Sequence, residues 1–474
     1  MNWLSFAPEI VTLSAALWFL MLSMVGRSDA RRDHLASLIW AALGVLVCLA
    51  AVGSEGVLFG KAYRVDLFSQ VFKVMLSVGL FLILCLCGDL IDIQERHRPD
   101  FYVLLFICTL AMMLLVSGDH LLAIYVALEL SSYSLYVLVA LRRDQNFGIE
   151  AGIKYFLVGI VASAMMIFGL ALLYGAAQTT YLSDLVKVLP EVINRPMVVI
   201  GLLLTLSGFF FKLAVFPFHV WAPDVYQGAM NQVSAFIATA SKVAAIAMLI
   251  RVVASAGQGS AYLAHVLVVL SIISMTVGNL AAIAQQDLKR LLAYSTIAHA
   301  GYVLIGISSM NPAGYASAIF YALALLLMKF TAFLVVIKVA VGGQNVRIEQ
   351  LAGLHRRSPL LALALMVSLF SLAGIPPTVG FTGKFLVFVA AMEHGYFTLV
   401  LIAMINVVIS LYYYLLVIKA AYLLEPKEEM ALLPLSPSMK LLTGALIGVM
   451  VAAGFFPYSL IAVAEAAVRA IIQN

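Results

Sequence analysis

The chain has 474 residues, of which 64% are hydrophobic and only 11% charged, and its mean hydropathy is +1.07. A soluble domain carries roughly 25% charged residues, so this composition excludes a soluble enzyme and predicts a polytopic helical membrane protein. The net charge of +5 is small and lies in loops, where it sets topology rather than nucleic-acid binding.

A spanning helix needs about 20 apolar residues, and such runs recur almost end to end. The N-terminus has neither a basic n-region nor a small-residue cleavage site, so no removable signal is expected. The first three spans are predicted at 3–25, 35–55 and 67–88, the third with Lys73 near its start. The fourth and fifth follow at 100–117 and 120–141, and Glu129 stands in the middle of the fifth, in Tyr125-Val126-Ala127-Leu128-Glu129-Leu130. The sixth, at 152–175, opens with Lys154, where snorkelling to the surface and a buried role are both open. The short mixed segment Tyr181–Leu189 fits an interfacial helix.

The seventh span, at 196–220, holds the most telling pattern, Phe209-Phe210-Phe211-Lys212-Leu213-Ala214-Val215-Phe216-Pro217-Phe218-His219. A lysine at membrane depth stands just before a proline, which removes a helical hydrogen bond and clashes with the preceding turn. The eighth to eleventh spans are predicted at 229–254, 261–284, 291–309 and 313–341. They carry Lys242 in the eighth, His299 in the tenth, and Lys329 and Lys338 in the eleventh. The twelfth, at 358–392, contains Gly374-Ile375-Pro376-Pro377-Thr378-Val379-Gly380 and then Lys384. The last two spans are predicted at 397–423 and 439–457.

A charge at the bilayer centre costs roughly 3 kcal/mol on insertion scales. Glu129, Lys212, Lys242 and Lys384 have apolar flanks on both sides, so snorkelling is difficult. A structural ion pair such as Glu129 with Lys212 and a proton relay are the two readings, and both can hold. A buried lysine beside a carboxylate is a proton carrier that the pair can switch. His299, Lys329, Lys154 and His219 are secondary members of the same series, and His299 reads as readily as a hydrogen-bonded core histidine. His219, Asp224 and Tyr226 follow the first break, where they either form a proton exit or cap the helix end. The four cysteines, Cys48, Cys85, Cys87 and Cys108, lie in apolar runs and form no CxxC, so they read as packing residues.

The charges also repeat. Leu121-Leu122-Ala123 precedes Glu129 as Leu291-Leu292-Ala293 precedes His299, an offset of 170, and Lys212 and Lys384 lie 172 apart (384 − 212). Five spans separate the copies, and an odd number inverts the second copy in the membrane. The expected fold is therefore an all-α membrane protein of about 14 spans, with two inverted five-helix repeats and broken helices 7 and 12. It divides into a three-helix region at 1–99, repeats at 100–255 and 256–423, and a last helix and tail at 424–474. Lys and Arg in the loops fall thirteen to one side and five to the other, which places the richer side in the cytoplasm and both termini in the periplasm. The thirteen include Arg27, Arg142, Arg143, Lys289 and Lys427.

Three segments are similar to the antiporter-like membrane subunits of proton-pumping NADH–quinone oxidoreductase, respiratory complex I. They are Phe211 to Ala229, Lys289 to Tyr302, and Ser371 to Phe385. Lysine rather than glutamate at 384 resembles the subunit N branch. The resemblance implies a translocase subunit in which Glu129 and Lys212 form the first charged pair, Lys242 the link and Lys384 the terminal lysine. It implies no cofactor in this chain, because NADH, FMN, iron–sulfur clusters and quinone belong to other subunits. It implies, as partners, antiporter-like paralogues and small membrane subunits in a bacterial inner membrane. Two positions depart from the family. Met230-Asn231-Gln232 stands where prolines are usual, and Lys329 where a small or amide residue is usual. A stand-alone or Mrp-type cation/proton antiporter and a non-pumping scaffold of the membrane arm are the alternative functions.

Overall fold

The computed structural model describes residues 3–26, 28–142, 146–193, 195–257, 260–426 and 431–472. Arg27, Arg143 and Lys427, which entered the loop-charge comparison, lie outside these residues, as do the chain ends.

Among the described residues, thirteen helices are long and apolar enough to cross a membrane. A fourteenth crossing is made by two short helices in tandem, Pro359–Ala373 and Val379–Glu393. The first three spans are Ala7–Val25, Ala30–Ala51 and Leu67–Cys85. A hairpin that the apolar runs do not reveal, Gly56–Leu58 paired with Tyr63–Val65, joins the second to the third. Spans 4 to 6 are Arg98–Val116, Leu121–Ala140 and Asn146–Ala177, the last longer at both ends than expected. The mixed segment forms the helix Leu182–Val192. Span 7 is broken into Pro196–Leu213 and Trp221–Gly228. Span 8 is also interrupted, at Thr239, between Asn231–Ala238 and Ala240–Ser255.

Spans 9, 10, 11, 13 and 14 are Ala261–Ile283, Leu288–Ser308, Pro312–Val339, Phe397–Leu423 and Pro437–Phe455. Span 11 runs as one unbroken helix despite its length. The tail folds into a further helix, Tyr458–Ile472, which packs on spans 3 and 11. It buries Ala464, Ala467 and Val468, an i, i+3, i+4 stripe. Spans 8, 10 and 11 are buried nearly end to end and form the centre, whereas spans 1, 2, 13 and 14 expose much of their length. Lipid supplies no hydrophobic drive between helices, so close contact falls to small residues. Gly278 of span 9 meets span 10 so closely that a Cβ there would lie 2.5 Å from the Ala298 nitrogen.

The two breaks share one backbone geometry. Pro196–Leu213 ends in a left-handed Ala214, whose N–H reaches back to the Phe210 and Phe211 carbonyls. Pro359–Ala373 ends in a left-handed Gly374, bonded likewise to Phe370 and Ser371. A cis proline follows each, Pro217 and Pro377. The offset at the break is therefore 160 (374 − 214 and 377 − 217), not the 172 that separates the lysines. Lys212 precedes its break and Lys384 follows its own. At the start of the matched spans 5 and 10 the caps are His120 and Asp287, an offset of 167 (287 − 120). That register sets Glu129 opposite Thr296, with His299 one turn further on.

Packing this close predicts that Gly278→Val separates spans 9 and 10 and costs about 1–3 kcal/mol through overpacking. Gly175, where an added Cβ would meet nothing within 4 Å, should accept Ala without loss. Thermal unfolding of the two purified variants checks the contrast.

Candidate functional site

Burying an ammonium is tolerable only if its protons meet acceptors, and each central lysine has found them. Glu129 on span 5 accepts a short hydrogen bond from Ser163 of span 6. Lys212, in the last turn before the first break, donates to Ser131 and Ser132 of span 5, the latter at 3.3 Å. Among the described residues Glu129 and Lys212 make no salt bridge. In place of the expected pair, Lys212 meets span 5 within a turn of Glu129, at the serines.

Lys242 lies on span 8 just past its interruption. Its Nζ donates to the Lys212 carbonyl at 2.6 Å and sits 4.8 Å from the centre of the Trp221 ring. Trp221 itself donates from Nε1 to the Phe211 carbonyl at 3.1 Å. A helix C-terminus leaves carbonyls without intrahelical partners and carries about half a negative charge. Lys242 and Trp221 thus cap the end that the first break exposes.

The second break has the same need. Lys384 folds back across it and donates to the carbonyls of Leu372 and Ala373, at 2.8 and 3.0 Å. Leu372 is the backbone counterpart of Lys212 at the offset of 160 (372 − 212). One carbonyl position is therefore capped by a lysine in both repeats, from span 8 in the first and from within the broken span in the second. The Lys384 ammonium lies 4.6 Å from the centre of the Tyr302 ring.

Between the ends lies a chain of polar groups on spans 10, 11 and 13. Lys329 donates to the Leu292 carbonyl at 2.9 Å and to Ser295 at 2.7 Å. Ser295 shares a short hydrogen bond with Tyr414. His299 bonds Tyr321 through Nδ1 at 2.6 Å and Tyr414 through Nε2 at 3.2 Å. A small cavity of about 20 Å³ joins Lys242, Thr296, His299 and Lys329, which is room for about one water. Glu129, Lys212, Lys242, Lys329, His299 and Lys384 thus form one buried series through both repeats.

The secondary residues are placed differently. Lys154 is half-exposed and pairs with Glu150 and Asp224, at 2.7 and 2.8 Å, so it has reached the surface. Asp224 also accepts from Arg290 at 2.7 Å. His219 lies in the first break, half-buried and stacked on Phe216. Two supposed loop cations are buried instead. Arg142 donates to Gly343 and Asn345, and Lys289 donates to the Ala229 carbonyl at 2.8 Å. The serines and tyrosines that connect the charges do not stand out as site residues in the sequence. Ser131-Ser132-Tyr133-Ser134 within an apolar span is the one available signal.

Among the described residues, two fully buried ion pairs stand apart from this series. Glu9 pairs with Lys73 at 2.9 Å and accepts from Tyr63 at 2.6 Å. Arg251 of span 8 holds both carboxylate oxygens of Asp66 at 2.9 Å. Breaking a buried pair strands a charge, so Arg251→Met should cost about 3–5 kcal/mol. Arg251→Met with Asp66→Asn should recover part of that loss, because asparagine can still cap span 3. Thermal unfolding of the single and double variants measures the difference.

The family model described as NADH:quinone oxidoreductase/Mrp antiporter matches residues 117–410. The chain is 73% identical over 472 residues to NADH-quinone oxidoreductase subunit N 2 of Syntrophobacter fumaroxidans, covering all of both chains. It is 42% identical over 459 residues to the protein of the same name in Opitutus terrae, covering 96% of each. Among solved structures it resembles a chain of respiratory complex I from Thermus thermophilus, with a TM-score of 0.84 and 34% identity. That alignment covers 96% of this chain and 98% of the other. A chain of the Mrp complex from Dietzia sp. DQ12-45-1b matches with a TM-score of 0.88 at 22% identity, a likeness of fold alone, over 100% of this chain and 98% of that one.

Proposed function

The chain belongs to the NADH:quinone oxidoreductase/Mrp antiporter family, as a subunit N, and we propose that its buried charge series is the route by which it moves protons. It is a multi-pass, proton-translocating subunit of the membrane arm of an NADH–quinone oxidoreductase, assembled with other membrane subunits. Electron transfer from NADH to quinone takes place elsewhere in that assembly, and no redox centre is assigned to this chain.

The observation that carries the relay is the capping of both helix breaks by lysine. An ammonium held by free carbonyls can release a proton and leave those carbonyls to water or to a neighbouring donor. Glu129 and Lys212 exchange influence through Ser131, Ser132 and Ser163. Lys242, Lys329 and His299 meet around the small central cavity, and Lys384 ends the series. A change of charge at one member alters the electrostatic cost of a proton on the next. The side richer in Lys and Arg is proposed to be cytoplasmic, with both termini on the opposite side.

Overall identity to subunit N relatives separates this reading from a free-standing antiporter. Co-purification with hydrophilic redox subunits, read by mass spectrometry, tests the assembly. Lys384→Met should impair pumping in the assembled complex, and Lys384→Arg should restore it only in part, because arginine keeps the charge but does not release its proton near neutral pH. Glu129→Gln should also lower proton uptake. The measurement is proton uptake alongside quinone reduction in vesicles. Full pumping by Lys384→Arg and Glu129→Gln would remove the relay and leave a structural series.

A further inference from the structure

Near the Lys384 end of the series lies a cluster of buried amides that the relay does not use. Asn279 is the single amide side chain of span 9, and Asn406 that of span 13. Both spans expose much of their length, yet Asn279 is fully buried and Asn406 is only 2% exposed. The Asn279 Nδ2 donates to the Asn406 Oδ1 at 3.1 Å, to the Asn406 carbonyl at 3.2 Å and to the Tyr302 hydroxyl at 3.4 Å. Its Oδ1 accepts from the Tyr413 hydroxyl at 3.0 Å. Asn406 in turn donates to the Ile402 carbonyl at 3.0 Å and to Thr276 at 3.4 Å. Spans 9, 10 and 13 are thus joined at one buried point. The backbone beneath it is tightly set. Asn279 follows Gly278, and Tyr302 follows Gly301, where an added Cβ would lie 2.8 Å from the Ser271 carbonyl oxygen. Ser271 also donates to the Gly301 carbonyl at 2.7 Å.

Tyr302 connects this cluster to the terminal lysine. It is buried, and its ring centre lies 4.6 Å from the Lys384 Nζ. The Leu372 and Ala373 carbonyls accept two of the three ammonium protons. Among the described residues no third acceptor stands with them, and the ring face is the further attraction. An aromatic face within about 6 Å attracts an ammonium, more strongly away from water, and has no such hold on the neutral amine. The Tyr302 ring also meets His299 and Phe388, with centres 5.8 and 6.3 Å apart. His299 feels the charge of Lys384, Tyr321 packs against Gly383, and Glu393 shares the outer groove with the lysine. Amides between membrane helices commonly serve as glue, and the bonds from Asn279 to Asn406 suffice for that. The bond to Tyr302 is not needed for glue. An amide has two protons for these three acceptors, so Asn279 divides them between span 13 and the ring that faces Lys384.

We propose that Asn279 is a positioning residue for Lys384: held by Asn406 and Tyr413, it fixes Tyr302 so that the ring faces the ammonium. Asn279 touches no member of the charge series and carries no proton itself. Its effect passes through the Tyr302 hydroxyl to the place of the ring, and from the ring to the lysine. Span 13 thereby reaches the terminal lysine through two hydrogen bonds and an aromatic face. The inference rests on the relay reading above and adds the side chains that hold its last member in place.

The test is a double-mutant cycle on the whole complex in vesicles. Tyr302→Phe keeps the ring and loses the hydroxyl, and Asn279→Ala loses the amide. Each should lower proton uptake per quinone reduced by about threefold, a modest coupling for neighbours in one network. Asn279→Ala combined with Tyr302→Phe should fall no further than either alone, because both remove the same bond. Tyr302→Leu, which removes the ring, should lose more than Tyr302→Phe. An electron-microscopy map of assembled Asn279→Ala should show the Tyr302 ring displaced from the lysine. If Asn279→Ala does not assemble, Asn279→Ser, which is too short to reach Tyr302, takes its place in the cycle and in the map. Losses that multiply in the double variant, or a ring unmoved from Lys384, overturn the proposal and leave the amides as glue. Full uptake by Tyr302→Phe overturns it whatever becomes of the Asn279 variants. If Lys384→Met still loses uptake in those cases, the relay stands and only the positioning role falls. If Lys384→Met pumps fully, both fall.

Discussion

The structure depends on what happens to carbonyl groups where a helix stops inside the membrane. Water cannot reach them freely there, and each unsatisfied group costs several kcal/mol. In both repeats the chain stops at a left-handed residue and turns at a cis proline. It brings a lysine to the bared carbonyls, Lys242 at Lys212 and Lys384 at Leu372 and Ala373. Each half of the problem answers the other. The helix end needs a donor, and the ammonium needs acceptors and a local negative potential. At both proline breaks the helix end is supplied with a cation, whereas Lys212 and Lys329 find acceptors away from a break, at Ser131 and Ser132 and at Ser295 and the Leu292 carbonyl.

The repeats meet this requirement in different ways. In the second, the lysine belongs to the broken span itself and folds back over the gap. In the first, the broken span spends its own lysine on span 5, and the neighbouring span 8 caps the end. Span 8 is thereby tied to span 7 by a charge-assisted bond, and Trp221 reinforces the tie from the far side of the break. Lys242 then faces the cavity shared with span 11. The asymmetry directs the first repeat's cap toward the seam, and the second repeat's lysine away from it, toward the groove lined by Phe381, Phe385 and Phe388.

Much of this is legible in the sequence because the membrane simplifies the physics. Long apolar runs mark out fourteen crossings, and proline and glycine mark both breaks. Lys212, Lys242, Lys329 and Lys384 stand out because charge is costly among Phe, Val and Leu. The copy register is not read correctly this way, since aligning lysine with lysine ignores where the helix ends. Arg142 and Lys289 count as loop charges by position, because they adjoin loops, but their side chains turn inward to carbonyls of distant segments. The Ser295–Tyr414–His299–Tyr321 connection is invisible in sequence, because its members lie on three helices and no single segment displays it. The hairpin and the terminal helix escape notice because their patterns are short beside the spans around them.

Trp221 has a consequence for observing the molecule. The chain has four tryptophans. Trp18 is half-exposed on the outer face of span 1, and Trp40 is partly exposed on span 2. Trp221 alone among the described indoles is fully buried, stacked on Tyr155 at 4.3 Å, with the Lys242 ammonium 4.8 Å from its ring centre. The excited indole redistributes electron density across its rings, so a charge fixed over one face displaces the emission energy. Gaining or losing that charge would change the colour of the emitted light. The fold has thus placed a native chromophore against the Lys242 ammonium, so that a change of charge there would be read in its fluorescence.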